Sequence, residues 1–175
     1  MIDWNKYFEY RDSNLYWKDI SEMDEFSNYV KGRFKTGKLV GYLDSSGYMR
    51  FGVTVNKIEY TGRVHRIIWE MSNGPISEKL EIDHINGIRS DNRIENLRLA
   101  TRSQNEMNKG KQRNNKSGFK GVSFHKKTGK WLARIGLNGK SIYLGYFDTK
   151  CLAAVAYAKA SIRYHGKFSK INLFR

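Results

Sequence analysis

Residues 80–108 read LEIDHINGIRSDNRIENLRLATRSQNEMN. An apolar run ends in Asp83-His84, Ile85-Asn86-Gly87 breaks it, and a polar loop rich in Asn and Asp follows. Leu97 to Leu99 is a second short apolar run. Thr101 with Gln104 three residues later has the side chains of a capping box, which starts a helix through about Asn108. The stretch therefore predicts strand, loop, strand, helix. It carries a carboxylate, an imidazole and two carboxamides, Asn96 and Asn105. Adjacent strand residues point to opposite faces unless the strand breaks, and the turn after His84 supplies the break. Asp83 and a residue in the first turn of the following helix, Asn105, are then able to share one ion, and Asn96 is placed to hydrogen-bond across the loop that carries His84.

Upstream, 64–73 (VHRIIWEMSN) has apolar residues at 64, 67, 68 and 71, the spacing of one helix face, and Gly74-Pro75 ends it. Residues 40–64 read as strands with turns at 44–47 and at Asn56-Lys57. Two aromatic runs near the start, 4–10 and 15–20, flank Asp12-Ser13-Asn14, a turn composition between strand-like segments. Residues 21–38 are ambiguous: Ser21 before acidic residues suits a helix cap, whereas Gly32 and Gly37 argue for loop.

Downstream, 109–117 (KGKQRNNKS) is basic and lacks large apolar groups, as a linker does. Three strands are expected over 119–147, namely FKGVSF, KWLARIGL and KSIYLGYF, with Asn138-Gly139 as a hairpin turn. An Ala-rich helix over 149–165 closes at Gly166. Alternation places Trp131, Ala133, Ile135, Ile142 and Leu144 on the face towards that helix. Lys130, Leu132, Arg134, Gly136, Ser141 and Tyr143 lie on the opposite, free face, together with Lys120.

The 175 residues suffice for one medium domain or two small ones. No apolar run approaches a membrane span, and the N-terminus lacks the order of a signal peptide. Cys151 is the only cysteine, so neither an intramolecular disulfide nor a cysteine-rich zinc site is expected, and a reducing compartment fits. Charge is divided unevenly. Residues 1–100 hold 15 Lys/Arg and 15 Asp/Glu, while residues 101–175 hold 17 and 2, so the net +15 belongs to the last 75 residues. A field that one-sided favours a polyanion; the plain alternative is a solvated basic surface.

Asp83, His84 and Asn105 suit phosphodiester hydrolysis. A neutral imidazole takes a proton from water near pH 7. A hard divalent cation neutralises charge at the phosphorus and the leaving oxygen, and Mg²⁺ needs only one or two protein oxygens. On pattern alone, a metal site and a hydrogen-bonded structural Asp-His pair both remain open.

The DHINGxxxDNRxENL frame of 83–97, with GRVHRIIWEMSNGPIS before it (62–77), resembles the HNH endonuclease motif of phage and intron-associated homing endonucleases. The resemblance covers about residues 60–110. It implies a ββα-metal core in which His84 is the general base, Asp83 binds the metal, Asn96 stabilises the loop and Asn105 is the third anchor. Some members have His at that last position. An amide oxygen there favours Mg²⁺, with Mn²⁺ able to substitute, over zinc. His65 matches a recurring His of this group and Arg66 could approach phosphate; a packing role for His65 stands equally.

Residues 117–173 resemble an AP2 DNA-binding domain through Lys120-Gly121-Val122, Trp131, Ala133, Ile135, Leu144-Gly145, Phe147-Asp148-Thr149, Ala153-Ala154, Ala156-Tyr157, Gly166 and Asn172. That family lays a three-stranded sheet in the major groove, which implies DNA-facing roles for Lys120, Ser123, Lys130, Ser141 and Tyr143, with Arg134 on the same face. Ser123 and Ser141 depart from the usual Arg or Trp, so base specificity does not transfer.

The expectation is an α+β chain. A β-rich part (1–59) extends an HNH ββα-metal core (60–110), a basic linker spans 111–117, and an AP2-like sheet-and-helix domain occupies 118–175. It is expected to be a site-specific homing-type endonuclease acting on double-stranded DNA and leaving 5′-phosphate and 3′-hydroxyl ends. The cytoplasm of a bacterial cell, with the protein encoded by a phage or another mobile element, fits; the oligomeric state is open, with a monomer favoured. Two rival readings are a DNA-binding regulator with an inactive nuclease core and an RNA-binding module.

Overall fold

Asp12 and Ser13 both have positive φ (48° and 67°), the backbone of a tight two-residue hairpin turn. They join β1 (Phe8–Arg11) to β2 (Asn14–Trp17), antiparallel with Phe8 opposite Trp17. The first aromatic run is only half strand, since Trp4–Lys6 forms a 3-10 turn capped by Asp3. The computed structural model describes residues 2–171, the side chains of Asn28 and Tyr29 excepted, and divides the chain into two compact units, 1–99 and 100–175. The division falls ahead of the basic linker expected at 111–117. Asn172 lies outside the described residues. Among those described, no helix is long and apolar enough to cross a membrane.

In the first unit, α1 (Asn28–Arg33) is capped by the Ser27 hydroxyl, which accepts from Val30 N at 3.4 Å. The ambiguity over 21–38 resolves as a helix that contains Gly32 and is capped by Ser27, not by Ser21. A mid-helix glycine costs only about 1 kcal/mol, and Phe34 at the helix end stacks on Trp17 with centroids 4.6 Å apart, which holds the segment down. β3 (Tyr42–Leu43), β4 (Met49–Val55) and β5 (Ile58–Arg63) form an antiparallel meander. α2 (Val64–Asn73) buries Val64, His65, Ile67 and Ile68. β6 (Glu81–His84) and β7 (Leu97–Ala100) pair as a two-stranded sheet. The core is aromatic: Trp4, Tyr7, Phe8, Trp17, Phe26 and Phe51 are buried with Leu15, Val40, Ile67 and Ile68.

The second unit starts with α3 (Arg102–Asn108), whose N-terminus carries the expected capping box. β8 (Val122–His125), β9 (Lys130–Leu137) and β10 (Lys140–Phe147) form an antiparallel sheet in the order β10-β9-β8. α4 (Lys150–His165) covers one face with Ala153, Ala154, Tyr157 and Ala160 against Val122, Ala133 and Ile135. Gly121 has φ +72°, and a Cβ there would meet the Tyr157 ring at 2.2 Å and Arg134 O at 2.6 Å. The strand therefore begins at Val122 and not at Phe119, and Lys120 lies before it, off the free face.

β10 carries an irregularity beyond the residues whose faces alternation assigned. Tyr143 is opposite Arg134, yet Gly145 is opposite Ala133, so a β-bulge interrupts the register between them. A bulge shifts side-chain parity by one. Beyond it Tyr146 faces the same way as Tyr143, and Phe147 turns to the helix side.

Candidate active site

β6 ends in Asp83 and His84, 5 % and 4 % exposed. The chain turns at once: Gly87 N donates to His84 O at 2.8 Å, and Gly87 has φ +79°. The loop is then tied across itself. Asn96 Oδ1 accepts from Asn86 N at 3.0 Å and Asn96 Nδ2 donates to Asp91 O at 2.8 Å, while Ile85 N donates to Asn96 O at 2.8 Å. Arg93 grips Asp91 through two nitrogens, each at 2.9 Å, and holds that carboxyl down to about 2. Ile94 N donates to the Tyr10 hydroxyl at 3.1 Å, which anchors the far end of the loop on β1.

His84 Nε2 lies 3.1 Å from Asn92 Oδ1, both residues buried. With Asn92 Oδ1 as the acceptor, Nε2 carries the proton and Nδ1 is left as the basic nitrogen of the neutral ring; Asn92 Nδ2 is buried with no hydrogen-bond partner among the described residues. Burial lowers the His84 pKa from its ordinary 6.5; the Asn92 bond and the charges of Asp83 and Asp91 oppose that shift. The ring is thus neutral near pH 7, as a base must be. Asp83 Oδ2 accepts from Arg98 Nε at 2.8 Å and from Arg98 Nη2 at 2.7 Å. This part-buried, charge-assisted pair orients the carboxylate.

His65, from α2, stands edge-on to His84 with ring centroids 4.8 Å apart. It is 3 % exposed, and its Nδ1 has no hydrogen-bond partner among the described residues. Burial, then repulsion from His84 once that ring is protonated and from Arg63 and Arg66, push it down to about 3. Tyr48 completes the aromatic wall, 5.5 Å from His65 and 6.0 Å from His84. The Arg63 and Arg89 guanidinium groups sit 4.0 and 5.0 Å from the Tyr48 ring centroid, and Arg89 Nη1 also donates to Ser46 O at 2.8 Å. Exposed Arg66 lies on α2.

Within the first unit the structure thus groups Asp83, His84 and Asn96. Asn105 lies on α3 in the second unit. Sequence reasoning missed Asn92, Arg98, Tyr48, Arg63 and Arg89. Asn92 was legible as part of the DNR triplet eight residues after His84. Tyr48 and Arg89 carry no local signal, because their relation to His84 exists only through the fold. Among the described residues no group of three or more His, Cys, Asp or Glu side chains forms a metal cage.

In the second unit the free sheet face holds Lys130, Leu132 and Arg134 of β9. Register places Ser123 and His125 of β8 and Ser141, Tyr143 and Tyr146 of β10 beside them. Their rings form a row, with His125–Tyr146 centroids at 5.0 Å and Tyr146–Tyr143 at 5.6 Å. Tyr143 is 61 % exposed. Lys130 Nζ pairs with Asp148 at 3.0 Å. Lys120 departs from the expected arrangement: its ammonium is bound to backbone carbonyls at the end of α3. His165 is structural, with Nε2 2.8 Å from Gly136 O, so that the end of α4 is tied to β9.

Residues 63–107 match the family described as HNH endonuclease. Protein 3.8 of Escherichia phage T7 is 34% identical over 109 residues, which is 62% of this chain and 88% of that protein. APETALA2-like protein 2 of Oryza sativa subsp. indica is 43% identical over 60 residues, 34% of this chain but 14% of the plant protein. A solved structure titled "DNA binding and cleavage by the HNH homing endonuclease I-HmuI" aligns with a TM-score of 0.44 at 19% identity, over 91% of this chain and 85% of that one.

Proposed function

The chain belongs to the family of protein 3.8 of phage T7 and carries an HNH endonuclease domain, and on that premise we propose that it is a DNA endonuclease of the homing type that hydrolyses phosphodiester bonds with one divalent metal. The observation that carries the reading is His84: a buried, neutral imidazole whose Nε2 is committed to Asn92 and whose neighbour Asp83 is oriented by Arg98.

The donor set fits a hard cation. Asp83 offers a carboxylate and Asn105 an amide oxygen, the ligand types of Mg²⁺ or Mn²⁺, which retain waters and need no closed protein cage. Such an ion, when bound, supplies Lewis-acid stabilisation of the phosphoryl oxygens and of the departing 3′ oxygen. The remaining roles belong to the chain. His84 Nδ1 takes the proton of the attacking water. Asn92 holds the tautomer that leaves Nδ1 basic. Asn96 keeps the loop closed behind His84. Arg63 and Arg89, with Arg66, place positive charge where the DNA backbone approaches. The products are 5′-phosphate and 3′-hydroxyl ends.

The second unit serves as an AP2-like reader of double-stranded DNA. Its free face, with Ser123, Lys130, Arg134, Ser141 and Tyr143, enters the major groove, and Tyr146 joins them through the bulge. Supporting this is the charge: the whole net +15 lies in residues 101–175, and phosphate contacts dominate affinity for DNA. The test is His84→Ala on supercoiled plasmid in Mg²⁺, with EDTA as a control. Cleavage should fall by about 10²–10⁴-fold while DNA binding is retained. A folded, DNA-binding variant that cleaves like the parent would sink the mechanism.

A further inference from the structure

α3 is seven residues long. A helix of two turns is marginal alone, and its last carbonyls have no partners within the helix. Its beginning is closed: Thr101 Oγ1 accepts from Gln104 N at 3.3 Å, and Gln104 Oε1 accepts from Thr101 N at 2.8 Å. Its end is different. The last turn carries no basic residue of its own to meet the negative end of the helix dipole.

That charge comes from beyond the helix. Lys120 Nζ donates to Met107 O at 2.7 Å, to Lys109 O at 2.5 Å and to Glu106 O at 3.3 Å. Three carbonyl acceptors match the three donors of an ammonium. The group is half-buried, and burial pushes its pKa down to about 8. Beside it a cavity of about 600 Å³ opens between α3 and the β9–β10 hairpin, with Arg102, Glu106, Lys120 and Ser141 on its walls. On this side the helix and the sheet are separated by an open cleft. The bonds from Lys120, which directly precedes Gly121 and the start of β8, link the two.

We infer that Lys120 is a positioning residue for DNA cleavage: it clamps the last turn of α3 to the root of the β8–β10 sheet and so sets the place of Asn105. This rests on the reading in which Asn105 contributes an oxygen to the cleavage site. Lys120 is then committed to protein carbonyls and does not bind phosphate.

The test uses the full chain with Lys120→Met and Lys120→Arg, and Asn105→Ala as a reference. Three quantities are read. The first is amide hydrogen exchange over residues 105–109 in the metal-free, DNA-free protein, with β9 and β10 amides as the internal control. The second is duplex DNA affinity in EDTA as a function of salt. The third is the single-turnover cleavage rate in Mg²⁺ at saturating DNA.

For Lys120→Met, exchange at 105–109 should quicken while β9 and β10 stay protected. The salt slope should be unchanged, and the rate should fall about ten- to a hundredfold, the scale of a misplaced catalytic group. Lys120→Arg, which keeps the charge and donors, should recover part of the rate. Unchanged exchange, or an unchanged rate despite faster exchange, overturns the inference. So does a salt slope lowered by about 0.9, the signature of one phosphate no longer neutralised. If Lys120→Met unfolds, Lys120→Gln replaces it, and a rate equal to that of Lys120→Arg overturns the inference. Failure of the underlying reading shows elsewhere: the parent would not cleave, or Asn105→Ala would cleave as the parent does, whatever the Lys120 variants do.

Discussion

The two units differ in what they bury and in what they leave outside. Residues 1–99 bury large aromatic rings, Trp4 stacked near Phe8 and Trp17 edge-on to it at 4.8 Å, and together carry no net charge. Residues 100–175 bury mostly alanine beneath a three-stranded sheet, with Tyr157 the largest side chain, and hold the whole excess of +15. The difference is instructive. A base such as His84 needs a stiff, dry surround that keeps it neutral. A polyanion reader needs area and charge, and a thin core suffices to flatten a sheet. If the proposed function holds, chemistry and affinity should be separable by mutation.

The sharpest separation is kinetic. His84→Ala should remove about 10²–10⁴-fold of the cleavage rate with no change in the salt dependence of binding. The double variant Lys130→Ala with Arg134→Ala should do the reverse. It should weaken binding and lower the salt slope by about 0.9 for each phosphate no longer neutralised, with the rate at saturating DNA preserved. If either variant moves both quantities, the division of labour is wrong.

Gly121→Ala strikes the second unit alone. A Cβ would overlap the Tyr157 ring and Arg134 O in a backbone of φ +72°, so strain and overpacking together should cost about 2–5 kcal/mol. DNA affinity should fall, whereas amide hydrogen exchange read residue by residue in β1, β2 and α2 should be little changed. Asn92→Ala acts in the first unit. It leaves His84 Nε2 buried without its acceptor, at a cost of about 1–3 kcal/mol, and frees the ring to adopt the wrong tautomer. The cleavage rate should drop more than the affinity does, as paired single-turnover and binding assays would show.

The last effect is in pH. His65 is pushed from 6.5 to about 3 in the folded chain, first by burial. The unfolded chain therefore binds a proton there that the folded chain refuses, and stability falls as pH is lowered through 6.5 towards 3. Denaturant titrations from pH 7 to pH 4 should show this loss for the first unit, and His65→Leu should flatten it. An unchanged slope in that variant would remove His65 as the cause.

Much of this was legible along the chain. Turn residues at 12–14, 56–57 and 138–139, the capping box at Thr101 and Gln104, and the bounds of β9 and β10 are local chemistry, and local chemistry survives folding. Gly32 runs against its local signal because the Ser27 cap and the packing of Phe34 on Trp17 outweigh one helix glycine. The Asp83-His84 frame was legible as a motif, but its orientation was not: Arg98 reaches Asp83 only because β6 and β7 pair, and Tyr48 reaches His84 only because β4 and α2 stack in one core.

By itself, the sequence determined the order of the elements, the uneven charge and the presence of an imidazole-carboxylate pair on a strand that breaks, since each depends on residues a few positions apart. Tertiary structure alone decided three things. The bulge in β10 put Tyr146 beside Tyr143, because strand parity is set by pairing with β9. Asn92 came within 3.1 Å of His84 Nε2, because that depends on the closure of the loop between them. Lys120 went to the carbonyls of α3 and left the free face, because Gly121 turns the chain where its missing side chain makes room for Tyr157.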